Sequence, residues 1–256
     1  MRGLVGKVAA LLRRSSPVED RMRQDWDQRA RENAMYFIVT DSAESEEQFA
    51  ASGESSVQYI LQDVEHLLPP KAAVLEIGCG IGRMLRPLAR RFETVSGVDV
   101  SPEMVSRARV RLADQKNITI RQMTGRTLDP IGTEKIDLAI SYLVFQHIPD
   151  ASVVEDIIRD TFRVLKPGGI FKFQVAGSPD GEGAAMAERL RTKDTWSGVS
   201  FSESEVRQMV ERAGLRVLST YSHKPPDSCI FLWVVAGKPP RGSDSSRHSF
   251  PPSAGV

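Results

Sequence analysis

Ala73 to Arg83 read AVLEIGCGIGR, an apolar, strand-like run that breaks into three glycines at alternate positions. Gly78, Gly80 and Gly82 stand between that run and the helical stretch RMLRPLARRF. Without Cβ atoms the chain turns sharply there and brings backbone N–H groups at a helix start against a ligand. The next apolar run closes in GVDVSP, which puts Asp99 about twenty residues past the turn, where a carboxylate can accept hydrogen bonds from ribose hydroxyls. Turn and aspartate together point to a cofactor that contains adenosine. The spacing is not that of a dinucleotide fingerprint, which holds two residues before its last glycine. Nor does a Lys followed by Ser or Thr close the turn as in a phosphate-binding loop.

Working outward, AVLEI, TVSGVD, ITIRQM, IDLAIS, GIFKFQV, LRVLSTY and CIFLWVVA read as seven strands, with helical periodicity between the first five. The alternation predicts an α/β fold with a mostly parallel sheet covered on both faces. SHKPPDS is too short for a crossover helix, so the last strand pairs antiparallel with the one before it. Ahead of the turn, Val57, Ile60, Leu61, Val64, Leu67 and Leu68 share one helical face that Pro69 and Pro70 stop. Met22, Trp26, Ala30, Asn33 and Phe37 recur at helical spacing after Pro17, and the small, acidic residues 40–54 read as a loop. The division that follows is an amino-terminal helical arm and cap over 1–56, a main domain over 57–237 and a polar, proline-rich tail over 238–256. A long interruption around 176–200 follows the fifth strand, at the sheet end where open α/β sheets place ligands.

The formal net charge of +1 gives no field to draw nucleic acid, which argues against that partner. Cys79 and Cys229 set no disulfide framework and fit a reducing cytoplasm. Asp150, Asp156, Asp160 and Asp180 lack ligand spacing, so no metal is assigned, and a Mg²⁺ assembled from distant loops stays open without support. MRGLVGKVAALLRR is too short to span a bilayer. Leu4, Val5, Val8, Leu11 and Leu12 nevertheless share a helical face, which permits peripheral membrane contact through residues 2–14 or a homodimer contact.

The series LEIGCGIGR, GVDVSPEMV, IDLAISYLVFQHI and RVLKPGGIFKFQV resembles, in order and spacing, the seven-stranded, class I S-adenosylmethionine-dependent methyltransferases over about residues 57–236. The resemblance implies a Rossmann-like three-layer α/β/α sandwich that binds S-adenosylmethionine and releases S-adenosylhomocysteine. It places Glu76, Gly78, Gly80 and Gly82 around the cofactor, Asp99 on the ribose, and Val100 and Met104 on the adenine side. An acidic residue expected after the third strand is missing from QMTGRTL, and Thr124 or the Gly125 backbone takes that contact instead. Similar enzymes close the cleft with an amino-terminal helix, here through Tyr36, and Ser141 and Tyr142 complete the cofactor set.

Of four histidines, only His147 follows directly from a strand at its ligand-bearing end. Its pKa class suits proton removal near neutrality, and it reads either as general base or as a residue that supports the acceptor loop. Gln146, His147, Trp196 and Phe201 are the acceptor-side candidates, the two aromatic rings as a platform for a flat apolar face or a sugar, with Arg191 and Lys193 near it. The expected function is small-molecule O-methylation, with a sugar or glycoside hydroxyl first. N-methylation of an amino sugar or other amine and a non-catalytic cofactor-binding role are the alternatives.

Overall fold

A computed structural model describes residues 17–39, 45–178, 195–225 and 230–242. The core is one sheet of β1 (Ala73–Ile77), β2 (Thr94–Asp99), β3 (Ile118–Gln122), β4 (Ile136–Ser141), β5 (Leu165–Gly177), β6 (Ser200–Phe201), β7 (Arg216–His223) and β8 (Phe231–Gly237). Strand order is β3-β2-β1-β4-β5-β8-β7, with β6 paired to β5. The pairs among β1 to β5, and β5 with β6, are parallel. β8 runs antiparallel to both β5 and β7. The hairpin expected from SHKPPDS thus forms, but its second strand inserts beside β5 and leaves β7 at the edge. β6 is an eighth strand, two residues long and too short to show as periodicity.

Among the described residues six α-helices flank the sheet: α1 (Val18–Val39), α2 (Glu46–Leu61), α3 (Leu85–Ala89), α4 (Pro102–Arg111), α5 (Ala151–Val164) and α6 (Glu203–Arg212). Their starts are written in capping chemistry. The Ser101 Oγ accepts from the Met104 N–H at 3.0 Å with Pro102 next in line, and Asp150 Oδ1 accepts from the Ser152 N–H at 2.8 Å. Ser202 and Glu205 form a reciprocal capping box on α6. One face of the sheet packs Leu75, Ile77, Phe171 and Phe173 with residues of α5 and α6; the other packs Val74, Leu138 and Trp233 with residues of α2, α3 and α4.

Three expectations need correction. The loop over 40–54 is helical from Glu46, because Ser45 caps the start and Phe49 is fully buried. Its small residues serve close packing: a Cβ on Gly53 would stand 2.3 Å from the Arg83 carbonyl oxygen. α2 therefore runs across residue 56, where the arm was divided from the domain. Lys238, the first residue of the expected tail, is buried, and its Nζ donates to the carbonyls of Phe162 at 3.0 Å and Leu165 at 2.8 Å. The peripheral membrane contact through residues 2–14 is also corrected. No helix among the described residues is long and apolar enough to cross a membrane, and residues 2–14 themselves lie outside the described residues. Most of the 176–200 interruption, Arg191, Lys193, Asp180, Cys229 and His248 lie outside them as well.

Candidate active site

The strand order reverses between β1 and β4, and a cleft opens at their carboxyl ends, where such sheets bind ligands. It encloses about 840 Å³ of open space, mouth included. Its floor is the glycine turn. Gly78 and Gly80 both take positive φ, +77° and +52°. A Cβ on Gly78 would meet Val144 Cγ2 at 2.4 Å, and one on Gly80 would meet Ile38 Cδ1 at 2.8 Å. Bare backbone is thus required here by packing as well as by conformation.

Asp99 ties this turn to the end of β2. Its Oδ2 accepts from the Gly80 N–H and its Oδ1 from the Ser101 N–H, each at 2.9 Å. Burial pushes its pKa up to about 6, against those backbone hydrogen bonds, which pull it down. Each carboxylate oxygen keeps further lone-pair capacity for a hydroxyl donor. Glu76 is more extreme: burial, partly offset by Arg83 and reinforced by Asp99, raises it to about 8. Its Oε2 is buried with no hydrogen-bond partner.

Helix α1 roofs the cleft, with Met22, Trp26, Phe37 and Ile38 on the wall. Asp27 docks it, accepting from the Ser101 hydroxyl and the Glu103 N–H. Asp25 accepts from the Thr195 hydroxyl at 2.8 Å, and Arg29 donates to the same residue. The Arg29 guanidinium lies 4.8 Å from the Trp26 ring and 5.4 Å from the Trp196 ring. His147 lies on the cleft wall beside these rings, 5.3 Å from Trp26 edge-on and 4.9 Å from Trp196.

Of the sequence candidates, the cleft gathers Glu76, Gly78, Gly80, Asp99, Val100, Met104, Gly125, Tyr142 and His147. Seven others lie off its wall. Gly82 faces away, its missing Cβ filled by Leu112 at 2.5 Å. Tyr36 points outward, 43% exposed, and its neighbours Phe37 and Ile38 take the position foreseen for it. The Thr124 hydroxyl bonds Thr127, and the Ser141 hydroxyl donates to the Ile77 carbonyl. The Gln146 backbone carbonyl accepts from the Gly198 N–H at 2.6 Å, while its side-chain Oε1 is buried off the wall with no hydrogen-bond partner. Phe201 is buried in the core on β6, so no Trp196–Phe201 platform exists. Trp196 packs on His147 and stays beside the site through that contact.

The sequence reading passed over Arg83, Met22, Met123, Leu143 and Val144, all on the wall. Leu143 adopts φ +58°, a strained conformation for a bulky residue just past β4, with no sequence mark. Among the described residues no three His, Cys, Asp or Glu side chains cluster as metal ligands.

A family model described as a methyltransferase domain matches residues 75–173, from β1 into β5 and so including the glycine turn, Asp99 and His147. The chain has the class I, Rossmann-like S-adenosylmethionine-dependent methyltransferase fold. Within this methyltransferase fold, the glycine turn, the Asp99 carboxylate and the unmet Glu76 oxygen fit S-adenosylmethionine, a ligand with two hydroxyls and an ammonium group. A ubiquinone biosynthesis O-methyltransferase of Pseudomonas fluorescens (strain Pf0-1) is 34% identical over 97 residues, 38% of this chain and 40% of the relative. The chain thus spans about 40% of the length of the curated relatives first matched. A putative sarcosine dimethylglycine methyltransferase from Galdieria sulphuraria superposes with TM-score 0.59 at 18% identity, over 74% of this chain and 86% of its own. The [4+2]-cyclase SpnF superposes with TM-score 0.64 at 17% identity, over 88% of this chain and 97% of its own. At these identities the superpositions speak to fold alone.

Proposed function

We propose that this protein transfers a methyl group from S-adenosylmethionine to a hydroxyl of a small molecule, with His147 accepting the hydroxyl proton. The bound cofactor supplies an electrophilic sulfonium methyl, and the protein's part is alignment and proton removal. The observation that carries the reading is the hydrogen bond of His147 Nδ1 with the Trp196 carbonyl at 2.5 Å. A carbonyl oxygen only accepts, so Nδ1 carries the proton and, in the neutral ring, Nε2 is the basic nitrogen. Trp26 and Trp196 hold the ring plane from two sides. That is the second-group orientation a general base requires.

For the acceptor, the sugar or glycoside reading loses its aromatic platform with Phe201 in the core. The apolar wall of Met22, Trp26, Phe37 and Ile148 supports instead a hydroxyl carried on a flat apolar body. The curated relative's name, an O-methyltransferase, points the same way. Buried, free Cys79 accords with a cytoplasmic setting.

Labelled S-adenosylmethionine offered with phenols, sugars, glycosides and amines tests the reading. Transfer to a hydroxyl, with kcat lowered about 10²- to 10⁴-fold in H147A, is expected. Transfer to amines alone, or full turnover by H147A, would sink it.

A further inference from the structure

The proposed base takes its tautomer from the Trp196 carbonyl, so what fixes Trp196 fixes the base. Trp196 stands between two anchors. Downstream, the Gly198 N–H donates to the Gln146 carbonyl at 2.6 Å, and a Cβ on Gly198 would lie 2.5 Å from the Ile148 carbonyl oxygen. That anchor is the turn that carries His147 itself. Upstream, Thr195, 1% exposed, is gripped from α1. Its hydroxyl gives its one proton to Asp25 Oδ2 at 2.8 Å and accepts from Arg29 Nη1 at 2.9 Å. The same nitrogen reaches the Thr195 carbonyl at 3.3 Å.

Asp25 and Arg29 are four residues apart and so share one face of α1. A hydroxyl held between a carboxylate and a guanidinium has its direction set by both, which pins the residue next to Trp196. The guanidinium also lies against the Trp26 and Trp196 rings, and both rings pack on His147. Two paths thus lead from one side chain to the imidazole, through Thr195 to the carbonyl and through the two indoles. A helix that only needed docking already has Asp27 on Ser101 and Glu19 on Arg126 for that.

We infer that Arg29 is a positioning residue for His147: with Asp25 it fixes Thr195, and through Thr195 the Trp196 carbonyl, so that the imidazole keeps its proton on Nδ1 and leaves Nε2 basic. This rests on the reading of His147 as general base and adds to it a residue that does not line the cleft. Control of the tautomer is what an orienting partner contributes to such a base.

Nitrogen NMR on the full chain, with isotopically labelled imidazoles and His147 assigned by its loss in H147Q, reads the tautomer with no acceptor present. At about pH 8, where imidazole is neutral, wild-type His147 should favour the Nδ1–H form by about tenfold or more. R29M, which keeps the stem and removes the donors, should bring the two forms within about threefold of each other. T195V, of equal volume without the hydroxyl, should move the ratio the same way, and R29K should recover part of it. Calorimetry should find S-adenosylhomocysteine affinity within about threefold of wild type in each variant. A wild-type ring protonated on Nε2 overturns the assignment and needs no variant to do so. So does an unmoved tautomer in R29M and T195V, or an R29M that loses S-adenosylhomocysteine along with the tautomer, the mark of a helix merely undocked. Full turnover by H147A while the tautomer still follows R29M would sink the base and leave the clamp standing, a result distinct from these.

Discussion

Burial raises the Glu76 pKa to about 8, so without ligand the carboxyl holds its proton at neutral pH. In the unfolded chain the same carboxyl ionises near 4.5. Between those values the native state binds more protons than the unfolded state, so the ligand-free protein loses stability as pH rises from about 4.5 through about 8. Asp99, raised to about 6, adds a decline that is complete at lower pH. Urea titrations of E76Q should therefore show only the Asp99 part, ending near pH 6. An ammonium placed beside Glu76 reverses the balance and favours the carboxylate. At pH 7, S-adenosylhomocysteine binding should release up to about one proton, read from heats in buffers of different ionisation enthalpy, and E76Q should release almost none. Proton-neutral binding by the wild-type protein would contradict the pairing of Glu76 with the amine.

Helix α1 reaches the cleft because it breaks. Asn33 leaves helical geometry, with φ −165° and ψ 88°, and its Oδ1 accepts from the Tyr36 N–H at 3.2 Å, as an N-cap does. A new turn starts there and lays Phe37 and Ile38 over the glycine turn. N33A should cost about 1 kcal/mol of stability and weaken S-adenosylhomocysteine several-fold, with N33D retaining both. Thermal melts and calorimetry check this, and unchanged affinity in N33A would dissociate the break from the roof. Helical spacing carried Met22, Trp26 and Phe37 to the cleft side, whereas Tyr36 rested on the family resemblance and points outward. Gly78, Gly80 and Asp99 were legible because their demands are local, those of a turn and a strand end. Arg83 was not, since its meaning depends on Ser52 and Ser56, 31 and 27 residues earlier. Gly53 misled for the same reason: glycine marks a loop in one dimension and a close approach in three.

At the scale of the whole molecule, two helices that precede the sheet in the chain must be fixed to it before the cleft has walls. α1 is held by Asp27 and by Arg126, which pairs with Glu19 and, on α5, with Asp156. α2 is held at its middle by Arg83 and at its carboxyl end by Lys172 of β5. The Lys172 side chain is fully buried among Tyr59, Tyr221 and Trp233, its Nζ 5.2–5.9 Å from their ring centroids. It donates to the Ile60 carbonyl at 3.0 Å and pairs with Asp63, a cation placed where a helix end favours one. Burial lowers its pKa, and Asp63 opposes that. The two partners are unequal: Asp63 is 36% exposed and can hydrate alone, whereas Lys172 cannot. D63A, which strands a buried ammonium, should cost about 1–3 kcal/mol in urea denaturation after discounting for the exposed carboxylate. K172M, which keeps the stem's volume and removes the charge, should cost less than about 1 kcal/mol or even stabilise. A K172M variant damaged more than D63A would mean that the Ile60 carbonyl, not the ion pair, is what the lysine serves. The closure of α2 on the sheet would then rest on a helix cap rather than on charge.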